Sequence, residues 1–265
     1  MNRQKLNKFL KKYNSIPRKK LSQNFMINDS YAQKIVGLVP SAGIDSIVEI
    51  GPGFGSLTEH LVELNKNLTL VEKDPQICKF LMDRYQLQAK IINADFTKLN
   101  SDIFKSLKKY LIIGNVPYNV SKRIIRFMID HHREINQAII TLQQEVAHRL
   151  TALPGTKDYG GLTVLLQNIA DVKKKFDIPP AVFYPQPKVN SSVVVIDFFT
   201  KPRFVDPQKL IPLITICFKH RRKTLRNNLK CSFENSKLKS IEKYLDLRAE
   251  QLSLKDFKIL AEKLF

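Results

Sequence analysis

Four consecutive residues, Asn115-Val116-Pro117-Tyr118, carry groups whose types and spacing suit chemistry on a nucleobase. The amino group of adenine is a weak nucleophile because its lone pair is delocalised into the ring. An Asn side-chain oxygen and the backbone carbonyl before Pro117 can both accept its hydrogens, which frees the lone pair to attack. Tyr118 offers a flat face on which the base can stack. The plain alternative is a strand-to-loop turn with a surface tyrosine.

These residues follow the apolar run 110–114, which is typical of a buried strand. Three earlier runs also end in glycines or an acid: 46–50 in Gly51-Pro52-Gly53-Phe54-Gly55, 68–71 in Glu72, and 90–94 in Asp95. Ligands of open α/β sheets bind at the carboxyl ends of the strands, so the four segments predict one site. The spacing G-x-G-x-G differs from that of dinucleotide binders, which favours another nucleoside ligand.

The two acids suggest how such a nucleoside is held. An acid at the end of the second strand, as Glu72 is, can accept the hydrogens of both ribose hydroxyls. Asp95 can accept from an adenine amino group, with Phe96 against the ring. Taken alone, Glu72 would more often be a surface acid, and its place at a strand end is what favours the binding role.

Composition indicates a globular, intracellular protein that binds a polyanion. The 265 residues are 43% hydrophobic and 26% charged, and no apolar run is long enough to span a membrane. The net charge of +20 favours nucleic acid over a membrane as partner. The three cysteines have no C-x-x-C spacing and the five histidines no metal-binding spacing, so we expect no metal and reduced thiols in the cytoplasm.

The chain divides on sequence grounds into three parts: a basic N-terminal arm at 1–20, an α/β domain at 21–200, and a small α-helical domain at 201–265. The arm has no acidic residue and is expected to be flexible; a solvated tail or a transit peptide is the alternative. In the last part, Arg221, Arg222, Lys223 and Arg226 are dense enough on one predicted helix to contact RNA phosphates. A solvated helix face is the alternative.

A Pro-rich, extended segment at 176–188 precedes the last predicted strand, at 192–198. It contains Phe183, which is a candidate to clamp a base from the side opposite Tyr118. Packing of Phe183 beneath its own loop is an equally reasonable expectation.

The whole pattern resembles the ribosomal RNA adenine N6,N6-dimethyltransferase family, in its small-subunit branch, from about Arg18 to the C-terminus. The residues that carry the resemblance are Gln23-Asn24-Phe25, Glu49-Ile50-Gly51-Pro52-Gly53-Phe54-Gly55, Val71-Glu72-Lys73-Asp74, Asn93-Ala94-Asp95, Asn115-Val116-Pro117-Tyr118, Phe183-Tyr184-Pro185-Gln186-Pro187-Lys188-Val189 with Ser191-Ser192-Val193-Val194, and 218–229.

This resemblance implies a Rossmann-like methyltransferase domain that uses S-adenosylmethionine. It implies cofactor contacts at Asn24, Met26, Gly51, Glu72, Asp95 and Asn115. It also implies that Asn115, Pro117 and Tyr118 present the adenine. Met26 and Val116 stand where the family commonly has Leu, and the β-branched Val116 narrows the freedom of its loop. The expected reaction dimethylates two adjacent adenines near the 3′ end of small-subunit rRNA, in a ribosomal particle, with the protein acting as a monomer.

Two rival functions remain at this stage. The first is the related branch that methylates large-subunit rRNA and confers macrolide resistance; the stretch 218–229 argues for the small-subunit branch. The second is a nucleic-acid-binding transcription factor on the same fold. Intact residues at Glu72, Asp95 and Asn115 argue against a loss of catalysis.

Overall fold

The structure is a computed structural model that describes residues 1–18 and 23–265, with the side chains of Ser101 and Tyr118 outside the description. Lys19 and Lys20, the end of the predicted basic arm, lie outside the described residues. Within those ranges the strands, in chain order, are β1 (Phe25–Met26), β2 (Ser46–Ile50), β3 (Asn67–Glu72), β4 (Ala89–Asn93), β5 (Tyr110–Asn115), β6 (Ile135–Gln143), β7 (Ala170–Ile178), β8 (Phe183–Tyr184) and β9 (Ser191–Phe198).

The α-helices, in the same order, are α1 (Arg3–Lys12), α2 (Asp29–Val36), α3 (Thr58–Leu61), α4 (Pro75–Tyr85), α5 (Ser121–Asp130), α6 (Gln144–Leu150), α7 (Gly161–Ile169), α8 (Pro207–Cys217), α9 (Leu225–Leu229), α10 (Asn235–Lys239) and α11 (Leu254–Leu264). Helices follow β2, β3 and β5 directly along the chain. This alternation is what a parallel sheet with crossover helices requires.

Seven strands form one sheet in the order β4-β3-β2-β5-β6-β9-β7. The strands from β4 to β6 in that order are parallel to their neighbours, and β9 is antiparallel to β6. All five positions of β2 and the first five of β5 are buried, as expected for central parallel strands. The predicted α/β class is confirmed, and the four apolar runs that predicted strands correspond to β2, β3, β4 and β5. Of these, β4 lies at the edge of the sheet and has no fully buried residue.

Three strands are not indicated by the sequence pattern. β7 lies at the edge of the sheet, and its exposed centre, residues 173–175, consists of lysines, so the apolar alternation that signals a strand is missing there. β1 and β8 have two residues each and pair antiparallel, with Phe25 opposite Tyr184 and Met26 opposite Phe183. A pair this short has no periodicity to detect.

The N-terminal segment forms helix α1, and the expectation of a flexible arm is wrong for these residues. Leu6 is fully buried, and the Phe9 ring lies 4.7 Å from the Phe80 ring between centroids. The Lys5 ammonium lies 2.6 Å from a carboxylate oxygen of Glu59. Leu6 and Phe9 are three residues apart and therefore share one helix face, which packs α1 against the α/β unit despite its basic composition.

Contacts divide the chain into two compact units, Met1–Ala147 with Lys173–Phe198, and His148–Val172 with Phe199–Phe265. The sequence-based division at 200 leaves residues 148–172 in the first part, whereas the structure groups them with the C-terminal helices. In this second unit α7 and α8 approach closely, since a Cβ atom on Gly161 would lie 2.7 Å from Ile214 Cγ2. Packing between segments so distant along the chain leaves no local sequence signal.

The sequence predicts one helix for the basic stretch of the second unit. The structure has two helices with a turn between them. α8 ends at Cys217 and α9 begins at Leu225, so Arg221, Arg222 and Lys223 lie in the turn between them. The Asn228 side chain holds this turn by donating to the carbonyl of Cys217 at 2.9 Å.

Among residues 1–18 and 23–265, no helix has both the length and the apolar character needed to cross a membrane. That part of the chain also gathers no group of three or more His, Cys, Asp and Glu side chains suited to hold a metal ion. Cys78 and Cys217 are buried free thiols, and burial raises the pKa of Cys217 to about 12, which keeps that thiol protonated.

Candidate active site

A cavity of about 250 Å³ lies at the carboxyl ends of β2, β3, β4 and β5 in the first unit. Its wall contains Pro117 of the predicted base-presenting loop. It also contains every residue predicted to bind the cofactor, which are Asn24, Met26, Gly51, Glu72, Asp95 and Asn115. These residues are spread over 92 positions of sequence, from 24 to 115. The parallel register of the strands brings Gly51, Glu72, Asp95 and Asn115 together.

Glu72, the last residue of β3, is 7% exposed. The backbone N–H groups of Lys73 and Asp74 donate to its Oε1 at 2.8 and 2.9 Å, and that of Gly53 donates to Oε2 at 3.2 Å. Burial raises the pKa of Glu72, and the three donors oppose that shift. A carboxylate has about four acceptor sites, so Oε2 keeps one site for a ligand hydroxyl.

The glycine loop brings backbone atoms to the cavity wall. Gly51 and Gly53 have φ angles of +62° and +56°, which residues with a side chain rarely adopt. The Gly51 N–H donates to the Val71 carbonyl at 2.9 Å. A Cβ atom on Gly53 would lie 3.0 Å from the Phe25 ring. Both the backbone angles and the close approach of Phe25 therefore favour glycine here.

Asp95 follows β4 and presents its carboxylate at the same edge. Thr97 donates to Oδ1 from its N–H and its hydroxyl at 3.0 and 2.8 Å, and the Lys73 ammonium lies 2.9 Å from Oδ2. Burial favours a higher pKa for Asp95, but the donors of Lys73 and Thr97 outweigh it and hold the pKa below its ordinary value. The carboxylate is therefore ionised, and a ligand amino group would compete with Lys73 for Oδ2.

Asn115 ends β5 with its side chain fixed in one orientation. Its Nδ2 donates to the Asn24 carbonyl at 2.9 Å, which leaves Oδ1 as the acceptor for a ligand. The preceding residue must be glycine, because a Cβ atom on Gly114 would lie 2.4 Å from the backbone oxygen of Ile50. This close approach of β5 to the end of β2 sets the position of Asn115 beside the glycine loop.

The loop after Asn115 is anchored on both sides of Pro117. The N–H of Val116 donates to the Thr141 carbonyl at 3.2 Å, and the Pro117 carbonyl accepts from the Val120 N–H at 3.1 Å. Val116 is 1% exposed, so its β-branched side chain is packed rather than free. Tyr118 begins a 3-10 helix, and its side chain lies outside the described part of the structure.

Glu49 is a cavity residue that the sequence analysis did not select. It is 1% exposed and accepts a hydrogen bond from the Thr58 hydroxyl at 2.7 Å. Burial raises its pKa from an ordinary value of 4.5 to about 8, and the nearby Glu72 adds to the shift. The available signal was an acid inside the apolar run of β2, directly before the glycine loop.

Phe183 is not among the residues that line the cavity. Of the two expectations for it, the structure has the packed position and not the base clamp. It is 2% exposed and belongs to the hydrophobic core of the first unit. Successive side chains of a strand point to opposite sides, so the pairing of β8 with β1 turns Phe183 inward. The neighbouring Tyr184 has the Arg3 guanidinium 4.7 Å from its ring centroid.

The four basic residues predicted to contact RNA have unequal surroundings in the second unit. All four are exposed. The side chains of Arg221 and Arg226 are held by hydrogen bonds and ion pairs, whereas those of Arg222 and Lys223 have no such partner among the described residues. The partners are Glu250, Tyr159 and Lys157 for Arg221, and Glu242 and Asp246 for Arg226. Arg221 thus ties the basic turn to its own unit, with 3.0 Å between its Nε and Glu250.

Comparison with known proteins identifies the family to which this site belongs. The family model described as ribosomal RNA adenine dimethylase matches residues 14–262. The chain belongs to this family. A relative named ribosomal RNA small subunit methyltransferase A from Chlorobium chlorochromatii is 40% identical over 90% of each chain. The protein of that name from Malacoplasma penetrans is 38% identical over 88% of this chain and 85% of its own length.

Solved structures agree on the dimethylase fold. A dimethyladenosine transferase from Plasmodium falciparum superposes with a TM-score of 0.77 at 24% identity, over 90% of this chain and 96% of that one. The 23S rRNA methyltransferase ErmE gives a TM-score of 0.69 at 20% identity, over 91% and 99%. The match to the dimethylase family model begins after α1, so the N-terminal helix lies outside it.

Proposed function

We propose that this member of the dimethylase family transfers methyl groups from S-adenosylmethionine to N6 of adenine in small-subunit ribosomal RNA. The observation that carries the proposal is the meeting of Glu72, Asp95 and Asn115 in one cavity, at the ends of neighbouring parallel strands. The names of the relatives supply the class of RNA.

The cavity fits S-adenosylmethionine in both charge and hydrogen-bonding groups. Glu72 would accept a ribose hydroxyl at Oε2, and Asp95 would accept the adenine amino group at Oδ2. When bound, the cofactor supplies an electrophilic methyl group on a positively charged sulfur. The carboxylates of Glu72 and Asp95 suit a ligand that carries this positive charge.

The residues of the chain prepare the nucleophile. Asn115 Oδ1 and the carbonyl before Pro117 accept hydrogens of the target amino group, so that its lone pair is directed at the methyl group. The ring of Tyr118 would stack on the base. Positioning and lone-pair localisation dominate this chemistry, and the proton that N6 loses passes to water without a strong general base.

The substrate we propose is the pair of adjacent adenines near the 3′ end of small-subunit rRNA, each dimethylated, within a ribosomal particle in the cytoplasm. A protein with a net charge of +20 has the electrostatics for such a particle. In the second unit, Arg222 and Lys223 are the candidates for phosphate contacts, because their side chains are exposed and have no ion-pair partner among the described residues. The chain would act as a monomer.

The test is to incubate the protein with methyl-labelled S-adenosylmethionine and unmethylated small or large ribosomal subunits, and to map the labelled nucleotides. We expect two dimethylated adenines in the small subunit and none in the large subunit. Asn115→Ala is the control for chemistry, because it removes an acceptor for the target amino group and should abolish labelling. Label in the large subunit alone would support the related large-subunit activity, and absence of label in both would contradict the proposal.

A further inference from the structure

Arg123, in the first turn of α5, has an unusual electrostatic position. It is exposed and lies in the wall of the cavity. The other charged side chains of that wall are Glu49, Glu72, Asp95 and Lys73. Lys73 is neutralised by its ion pair with Asp95, whereas Arg123 makes no ion pair or hydrogen bond to the described residues. Of the two cations in the wall, Arg123 is thus the one without a partner among the described residues.

Nothing on α5 compensates the Arg123 charge. The residues one turn away are Asn119, Val120, Arg126 and Phe127, none of them acidic. By contrast, Arg126 on the same helix forms an ion pair with Asp130 at 3.0 Å. An arginine whose charge stabilised the fold would have such a partner, so the charge of Arg123 is free to act on a ligand.

The ligand that suits Arg123 is an anion that arrives with the base. The adenine ring is neutral, and the methyl-donating centre of the cofactor is positively charged. Neither of them would therefore form an ion pair with the Arg123 guanidinium. The target adenine of an RNA is attached to phosphodiesters, which the planar guanidinium binds well. α5 begins three residues after Tyr118, so Arg123 belongs to the same chain segment as the loop that would present the base.

We propose that Arg123 binds a backbone phosphate of the substrate RNA next to the target adenosine, and so orients that nucleotide for methylation. This inference rests on the proposed function and adds to it a specificity-determining residue. Lys122, exposed beside it, adds positive charge at the same place. A phosphate bound there would be fixed relative to Asn115 by one short segment of chain.

The experiment compares Arg123→Gln with Arg126→Gln, which removes an equal charge from the same helix, and with Arg123→Lys. We expect Arg123→Gln to raise KM for the small subunit about tenfold and to make the logarithmic salt dependence of RNA binding shallower by about 0.7 to 0.9. Arg126→Gln should change neither quantity, and Arg123→Lys should restore most of the binding. Affinity for S-adenosylmethionine, measured by calorimetry without RNA, should be unchanged in all three.

Three results would overturn this inference. Equal losses in Arg123→Gln and Arg126→Gln would mean that only net charge matters. A loss of cofactor affinity in Arg123→Gln would assign Arg123 to the carboxylate of the cofactor. A loss in Arg123→Gln that accompanies a lowered melting temperature and is not rescued by Arg123→Lys would assign it a structural role. Failure of the proposed function is a separate result, in which wild-type protein labels no small-subunit adenine. The salt dependence of RNA binding by Arg123→Gln and Arg126→Gln then still tests the role of Arg123.

Discussion

At the scale of single residues, Glu72 combines a structural and a binding role. Two of the three N–H groups that hold its carboxylate belong to the next two residues, and the third belongs to the glycine loop. The side chain therefore joins the end of β3 to the loop after β2. Its remaining acceptor site at Oε2 faces a cavity from which water would be displaced by a nucleoside.

Replacing Glu72 by Ala should weaken S-adenosylmethionine binding by about tenfold to a hundredfold, since a hydrogen bond to a charged group contributes roughly 1.5 to 3 kcal/mol. Isothermal calorimetry measures this directly. Affinity for small-subunit rRNA serves as the control and should remain within about twofold, because no RNA contact is assigned to this residue. Unchanged cofactor affinity would show that Glu72 does not bind the cofactor.

Glu49 should make the stability of the protein fall as pH rises, whereas most carboxylates make it rise. The folded protein keeps the Glu49 proton up to a pKa of about 8, whereas the unfolded chain loses it near 4.5. Between these values the folded state binds more protons, so the stability that Glu49 contributes is complete below pH 4.5 and is lost as pH rises through about 8. This is a consequence of burying an acid beside Glu72 with one neutral donor, Thr58.

Glu49→Gln should therefore be more stable relative to wild type at pH 8 than at pH 5, with the difference in unfolding free energy growing by about 1 to 3 kcal/mol. Urea denaturation at several pH values between these limits provides the measurement. Thr58→Val is a useful companion, because loss of the donor should raise the Glu49 pKa further and shift the effect to higher pH. Parallel stability curves for wild type and Glu49→Gln would contradict this prediction.

At the scale of elements, α1 shows how a basic segment becomes part of a folded unit. The Phe9 ring packs against Phe80, and its centroid lies 6.1 Å from that of Phe54 in the glycine loop. Glu59, which follows the glycine loop in α3, pairs with Lys5 of α1 and Arg84 of α4. α1 therefore braces the loop that forms one side of the cavity.

Leu6→Ala should detach α1, because removal of a buried leucine side chain costs about 2 to 5 kcal/mol and this helix has no other fully buried residue. Hydrogen exchange of residues 3–12 should accelerate by at least about tenfold, while exchange in the central strands is retained. Lys8→Ala, an exposed change on the same helix, is the matched control and should leave exchange unchanged. If exchange in α1 is already fast in wild type, the bracing role is refuted.

At the scale of the whole molecule, the basic turn of the second unit has two kinds of arginine. Arg221 is committed to Glu250 and to two backbone carbonyls, whereas Arg222 and Lys223 project into solvent. Removing all the arginines together would thus mix a stability effect with a binding effect. The structure assigns the stability effect to Arg221 and leaves Arg222 and Lys223 for the binding effect.

Arg222→Gln with Lys223→Gln should weaken binding to the small subunit and reduce the logarithmic salt slope by about 1.4 to 1.8, which corresponds to two phosphate contacts. The melting temperature should not change. Arg221→Gln should behave in the opposite way, with a lower unfolding free energy by about 1 to 3 kcal/mol from its lost partners and less effect on the slope. Fluorescence anisotropy over a salt series tests the binding, and an equal slope change in both variants would refute the distinction.

The sequence by itself determined the α/β class and the residues at the strand ends. Four apolar runs of strand length are each followed by a glycine, an acid or an amide. Because the carboxyl ends of parallel strands lie at one edge of a sheet, this pattern predicts that Gly51, Glu72, Asp95 and Asn115 lie together there. The family resemblance rested on the same residues and is confirmed. Their individual roles in binding and catalysis stay predictions, with the geometry described above in their support.

Only the tertiary structure decided which side chains are available for those roles. Phe183 is buried by the pairing of β8 with β1. Arg221 stays exposed but is held by partners up to 64 positions away along the chain. The burial of Glu49 and the unpaired charge of Arg123 depend in the same way on neighbours from other elements. Local sequence records the type and spacing of residues, whereas burial and charge pairing arise from distant segments that only the folded chain brings together.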